Sequence, residues 1–307
     1  MGEILFMKKI AIIGAGVTGI TTAYQLIKMG YDVSVFEKNK YPAMETSFAN
    51  GGQLSASNAE VWTSWKTVLQ GIKWIFKNDA PLLFNLKPSL HKLTWVLGFL
   101  SNISNHKKHT IETTKMAIDS RKEFKKILKN EKIKIDLEEK GILHLSTTKD
   151  IFEHGLKINK WLKEAGLDRY PVTNNEIRKI EPTIDINNIF GGFYTKSDMT
   201  GDIHLFTKQL AEVCKRKGVK FLYNADVKRI IHIRDKIKVN FNLNNFNQFE
   251  AYDYIVICAG VDSKKFANML GDKINIYPVK GYSITINNPG HNTPQVSLLD
   301  DFNKIVT

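Results

Sequence analysis

Short apolar runs that end on glycine or turn residues alternate along this chain with stretches of helical spacing. Lys8 to Gly14 (KKIAIIG) is rich in β-branched residues and closes on glycine, as a strand buried in a parallel sheet does. Helical spacing then runs to about Met29 and stops at Gly30, and Asp32 to Phe36 (DVSVF) follows as a second strand closed by Glu37. Together they form one βαβ unit in roughly thirty residues. From Val61 to Asn130 the texture is mostly helical, with Trp62, Trp65, Trp74, Trp95 and Phe99 recurring among lysines. A strand pair is expected around Gly141 within 134–147, a helix over Ile151–Ala165, a strand from Gly191 and a helix from Asp202 to Lys217. Four strands follow, at Val219–Tyr223, Val227–Ile233, Lys236–Phe241 and Tyr252–Ala259, and two more at Val296–Leu299 and Lys304–Thr307. No repeat or low-complexity linker marks a hinge, so two domains woven from alternating segments are expected, 7–60 with 190–270 and 61–189 with 271–307.

Composition narrows the classes. With 307 residues, 43% hydrophobic and 24% charged, the chain is long enough for real cores and is not a disordered polymer. The net charge of +13 comes mainly from lysine, since only six basic residues are arginine, none before Arg121 or after Arg234. Such a field favours anionic membranes, acidic ligands or nucleic acid. No zinc-finger, basic-zipper or aromatic ribonucleoprotein pattern supports the last. Cys214 and Cys258 form no CxxC, and Cys258 sits in the apolar run Tyr254–Gly260 as a buried structural thiol. That fits a reducing cytoplasm. Met1–Phe6 is too short for a secretory signal, and Leu93–Leu100 is too short to span a bilayer, so a cytoplasmic or peripheral protein is expected. The eight histidines show no metal-ligating spacing, and His106-Lys107-Lys108-His109 reads as a wet loop.

The chemistry begins at the first turn. Gly14-x-Gly16-x-x-Gly19 follows a strand and opens a helix, with Glu37 at the tip of the second strand. Gly14 permits the tight turn, Gly16 lets the backbone approach a pyrophosphate, and Gly19 lets the helix pack on the strand. The helix N-terminus offers amides to the phosphates, and Glu37 offers acceptors to ribose hydroxyls. The stretch Ile12, Ile13, Gly14, Ala15, Gly16, Val17, Thr18, Gly19, with Glu37 and Lys38, is therefore the candidate dinucleotide site.

The spacing alone does not separate FAD from NAD. The next segment, Glu45 to Ser55 (ETSFANGGQLS), resembles the loop that reaches over pyrophosphate and flavin in the D-amino-acid oxidase superfamily. It adds Ser47, Asn50, Gly51, Gly52, Gln53 and Leu54 to the candidate site. Further matching stretches are Trp74–Pro81, Glu181-Pro182, Thr200-Gly201-Asp202, Leu205-Phe206-Thr207, Gly218–Phe221 and Tyr277–Ser283. Taken together the chain resembles the FAD-containing bacterial D-amino acid dehydrogenases nearly end to end. The resemblance implies an α/β fold, a Rossmann-like FAD-binding domain interleaved with an α+β substrate domain of antiparallel sheet plus helices. It places the main chain at Val227 near the adenine and Ala259-Gly260 against the dinucleotide. It implies oxidation of a D-amino acid to a 2-oxo acid and ammonia, with electrons passed to a membrane quinone or another acceptor. Members of the family continue beyond the position of Thr307, so an incomplete FAD domain and a non-catalytic remnant form the alternative expectation, and glycine, sarcosine or proline are alternative substrates. No arginine lies near Tyr277–Ser283 to hold a carboxylate, so no catalytic residue is named and Lys280 and Tyr282 stand as candidates lining the substrate site. The aromatic and basic stretch Trp62–His109 either packs its tryptophans inward or contacts a membrane surface.

Overall fold

The computed structural model describes residues 7–75, 87–287, 293–300 and 303–307. In chain order the first elements are β1 (Lys9–Ile13), α1 (Val17–Lys28), β2 (Asp32–Phe36), β3 (Gln53–Leu54), α2 (Trp65–Ile75), α3 (Leu90–Ser101), α4 (His106–Glu131), β4 (Leu137–Glu138) and β5 (Ile142–Ser146). Then come α5 (Lys149–Glu164), β6 (Tyr170–Val172), α6 (Asn174–Ile180), β7 (Gly191–Thr195), β8 (Met199–Gly201), α7 (Ile203–Arg216) and β9 (Lys220–Leu222). The chain closes with β10 (Ala225–Ile233), β11 (Lys236–Leu243), β12 (Phe246–Tyr252), β13 (Tyr254–Ile257), α8 (Ser263–Met269), β14 (Ser297–Asp300) and β15 (Ile305–Val306). Two compact units form: Met1–Asn50 with Lys129–Ile135 and Asp202–Tyr282, and Gly51–Leu128 with Asp136–Gly201 and Ser283–Thr307.

The first unit holds a parallel sheet in the order β13-β1-β2-β9. The strands near its centre bury mostly apolar side chains: Ala11, Ile12, Val33 and Val35 are all fully buried. This is what a sheet covered on both faces requires. Helix α1 turns Ile20, Ala23 and Tyr24 inward at i, i+3 and i+4 and packs against α7. A second, antiparallel sheet, β10-β11-β12, meets the first through Phe36, whose ring lies 4.9 Å from Phe241 and 5.8 Å from Tyr252.

The second unit carries a mixed sheet, β15-β14-β5-β7-β6, and a small one, β3-β8-β4. Buried Glu181 takes the Val296 amide at 2.9 Å, the Gln295 amide, and the Thr183 amide and hydroxyl, and so ties the lead-in of β14 to the end of α6.

Several expectations are corrected. The segments around Gly141 are not paired with each other: β4 joins β8, while β5 joins β7 and β14. The region 219–259 holds five strands, because Asn244 and Asn245 take left-handed φ values of 51° and 67° and return the chain as β12. Asp253 then separates β12 from β13. Residues 51–60 and 190–201 group with the second unit, since Gln53 and Leu54 pair with Thr200 and Met199, and β7 pairs with β5; 271–282 group with the first. His106–His109 form the first turn of α4, not a loop, with His106 Nε2 3.1 Å from the Glu60 carboxylate. Cys258 is half-buried rather than buried, as it stands at the open end of β13, whereas Cys214 is fully enclosed. Trp74–Pro81 lies outside the described residues beyond Ile75, as does Met1–Phe6. Among the described residues no helix is long and apolar enough to cross a membrane.

Candidate functional site

The site of the first unit is built where β1 runs into α1. Gly14 has φ +104°, and a side chain there would come within 2.5 Å of the Cys258 carbonyl oxygen. At Gly19 a β-carbon would lie 1.9 Å from the Gly14 carbonyl oxygen, so the turn and the helix touch backbone to backbone. Gly16 is the N-cap of α1 and provides no capping side chain of its own. Instead the Ser47 hydroxyl accepts from the Val17 amide at 2.9 Å. A β-carbon on Gly16 would press to 3.3 Å from that same oxygen. The amides of Thr18 and Gly19 remain at the N-terminal end of the helix, where the helix dipole favours negative charge.

Glu37 is buried to 6% exposure at the end of β2. One carboxylate oxygen accepts from the Ala15 amide and the other from the Asn39 amide, each at 2.8 Å. Two acceptor positions on the carboxylate are thereby left for hydroxyl donors. The strand end itself is anchored, with the Glu37 amide donating to Leu222 and its carbonyl accepting from Ala225. Lys38 is turned toward Glu45 at 3.2 Å and Asp262 at 3.4 Å. Ala259 lies against the turn, its Cα 3.3 Å from a β-carbon built on Gly14, and Gly260 follows with φ +54°. Val227 packs its side chain among Phe36, Val239 and Phe241, so anything it offers a ligand comes from its main chain. Its strand shifts register between Val227 and Arg229.

Ile12, Ile13, Gly14–Gly19, Glu37, Ser47 and Ala259 are thus gathered at one strand–helix junction. Asn50 donates to the Thr46 and Ser47 carbonyls and stiffens the loop that carries Ser47. The residues present fit the adenosine diphosphate part of FAD: glycines where a β-carbon would collide, helix amides, and a buried carboxylate with spare acceptors. Burial pushes the Cys214 thiol up to about 12 and raises Cys258 as well, so neither is a thiolate at neutral pH.

Gly51, Gly52, Gln53 and Leu54 belong to the second unit. Gly52 has φ +61°, and its carbonyl accepts from the Gly201 amide at 2.9 Å. Gln53 donates to the Ser297 hydroxyl at 2.7 Å. The next turn is held by groups the sequence did not mark. Asp198, 1% exposed, accepts from the Ala56 and Ser57 amides, the Ser55 hydroxyl and Arg121. His144 bonds the Ser57 hydroxyl at 2.7 Å, and Arg169 donates to the Ser57 carbonyl at 3.1 Å. These side chains come from distant elements, so no local spacing announces them. Lys280 and Tyr282 lie on the irregular segment 272–287, and Tyr282 is 87% exposed. Among the described residues no group of His, Cys, Asp and Glu can hold a metal ion.

Comparison with known proteins bears on the fold and the family. Residues 9–306 match the family described as "DAO: FAD dependent oxidoreductase". D-amino acid dehydrogenase 3 of Mesorhizobium japonicum is 52% identical over 305 residues, 98% of this chain and 74% of the relative. The D-amino acid dehydrogenase of Paramagnetospirillum magneticum is 35% identical over 97% of this chain and 71% of its own. Among solved structures, glycine oxidase from Geobacillus kaustophilus superposes with a TM-score of 0.70 at 18% identity, over 98% of this chain and 70% of that one. L-proline dehydrogenase from P. horikoshii gives 0.59 at 17% identity, over 96% and 64%. At such identities the structures share the fold. The sequence matches go further, and this chain belongs to the FAD-dependent oxidoreductase family and, within it, to the D-amino acid dehydrogenases.

Proposed function

We infer that this chain holds FAD through its first unit and oxidises D-amino acids to 2-oxo acids and ammonia. The observation that carries this reading is the convergence of Gly14, Gly16, Ser47 and Glu37 on the N-terminus of α1, in a chain 52% identical to a D-amino acid dehydrogenase. FAD, when bound, accepts the hydride that leaves the substrate Cα. The residues of the chain bind and orient. The α1 amides face the pyrophosphate and Glu37 accepts from ribose hydroxyls, while the main chain at Val227 and at Ala259-Gly260 lines the nucleotide. The loop from Ser47 through Asn50 and Gly51–Leu54 extends toward the flavin end, with Asp198 fixing the turn that follows it. Loss of hydride and a proton from the amino acid leaves an imino acid, which water converts to the 2-oxo acid and ammonia. In this reading the first unit is the FAD-binding domain, the second serves the substrate, and Lys280 and Tyr282 stand as candidate substrate-lining residues. Electrons leave to a quinone or another acceptor, and the protein works in the cytoplasm at the inner face of the membrane. Identity across 98% of the chain favours the enzyme over a non-catalytic remnant.

The test is spectroscopic. The purified chain, supplied with FAD, is expected to show a flavin spectrum that bleaches when D-alanine is added without oxygen, while NADH does not bind. A colourless protein with saturable NADH binding by calorimetry overturns the reading.

A further inference from the structure

Helix α2 carries its apolar face outward. Trp65, Leu69, Ile72 and Ile75, at i, i+4, i+7 and i+10, are 64%, 59%, 50% and 40% exposed. Gly71 and Trp74, turned away from this stripe, are partly buried, as is Val68 within it. Helix α3 repeats the arrangement. Its outer stripe is Leu90, Leu93, Leu97 and Leu100, the first of them 83% exposed, while Lys92, Trp95 and Phe99 turn inward. A soluble helix ordinarily buries such a stripe, and clustered exposed apolar side chains mark an interaction surface.

The charge around these helices says what meets them. Residues 61–111 hold seven lysines against one acidic residue, Asp79. Lys66 and Lys73, one heptad apart and both exposed, flank the apolar face of α2. At 11 and 12 residues the helices are far too short to span a bilayer. Leucine and tryptophan on one side with lysine beside them is the composition of a helix that lies in a bilayer interface, where basic residues meet anionic headgroups. We propose that the outward faces of α2 and α3 dock this protein on an anionic lipid surface. The proposal rests on the reading of the chain as a peripheral donor to a membrane acceptor, and it names the surface that does the docking.

The test is vesicle flotation of the full chain, loaded with FAD. The protein is expected to float with vesicles of phosphatidylcholine containing about one-third phosphatidylglycerol, to stay behind with phosphatidylcholine alone, and to detach as salt rises. Leu69→Asn with Ile72→Asn, and separately Leu93→Asn with Leu97→Asn, are each expected to cut the bound fraction about tenfold with an unchanged circular dichroism spectrum. Phe246→Ser with Phe249→Ser, exposed aromatics of β12, is expected to float like the parent. Should the leucine variants misfold, brominated lipid mixed into the anionic vesicles reports on the parent alone, by quenching its tryptophan emission. Failure to float, flotation unaffected by lipid charge, unquenched tryptophan, or variants that float like the parent each overturn the proposal. So does a lipid-free dimer that the leucine substitutions dissociate, which would assign the face to a second copy. Flavin content and reduction of a soluble dye by D-alanine report the enzyme separately: docking can fail with both intact, and both can fail with docking intact.

Discussion

At Gly16 the absent side chain leaves the end of α1 open, and the proposed reading puts the pyrophosphate there. Its neighbour Ser47 already stands at the mouth of α1, and a β-carbon meets that hydroxyl at 3.3 Å, a squeeze the rotating serine absorbs. Gly16→Leu is therefore expected to fold, with an unchanged circular dichroism spectrum, yet to lose flavin completely on gel filtration, because the larger side chain fills the pyrophosphate space. Glu37 tests a different contact. Its carboxylate is satisfied at two positions by the Ala15 and Asn39 amides, so Glu37→Ala removes a brace of the turn and, in the proposed reading, the ribose acceptors. FAD affinity by fluorescence titration is expected to fall by about 1.5–3 kcal/mol. The sequence singles out both residues because the strand, the glycine spacing and the acid lie within about thirty residues of one another. It does not single out Asp198, since the amides that residue holds lie some 140 positions earlier and only the fold brings them to it.

Elements show the same division between local and distant. The βαβ unit, α5 and α7 follow from periodicity and their glycine stops, because each is decided by neighbours within a few turns. Strand β12 was hidden because an Asn-Asn turn in left-handed conformation precedes it and most of its side chains are exposed, so no apolar alternation announces it. The junction of α4 and α5 was likewise invisible. There Glu60 receives His106 at 3.1 Å and His154 at 2.9 Å. Burial works against the charged carboxylate, but the hydrogen bonds from His106 and His154 outweigh it and bring the pKa to about 2. A carboxyl depressed on folding stabilises fully above its unfolded value, near 4.5, and loses that contribution as pH falls toward 2. Glu60→Gln is therefore expected to lower the melting temperature at neutral pH and to shrink the difference from the parent between pH 4.5 and 2, as followed by thermal denaturation.

At the scale of the whole molecule, each unit draws on alternating segments of the chain, and no local feature of the sequence marks the seams. Small-sheet pairing of Gln53-Leu54 with Met199-Thr200 decides them, and neither dipeptide reads as a strand alone. The weave has a direct test. The parallel sheet of the first unit draws β9 and β13 from after residue 219, so a fragment ending at Ile135 lacks two of its four strands. That fragment is expected to give a poorly dispersed amide spectrum by NMR and no flavin binding, and a dispersed spectrum would mean the N-terminal βαβ unit folds alone. The same pairing has a consequence for synthesis. Ile10 finds its partner Tyr254 only about 240 residues later, and at ribosomal speeds of about 5–20 residues per second that is a wait of about 10–50 s. During that interval the apolar KIAII strand has one edge open and the Gly14 turn lacks the Cys258 wall against which it closes. The nascent strand edge thus stays open to any partner that pairs with or shields it, and codon choice between residues 37 and 254 sets for how long.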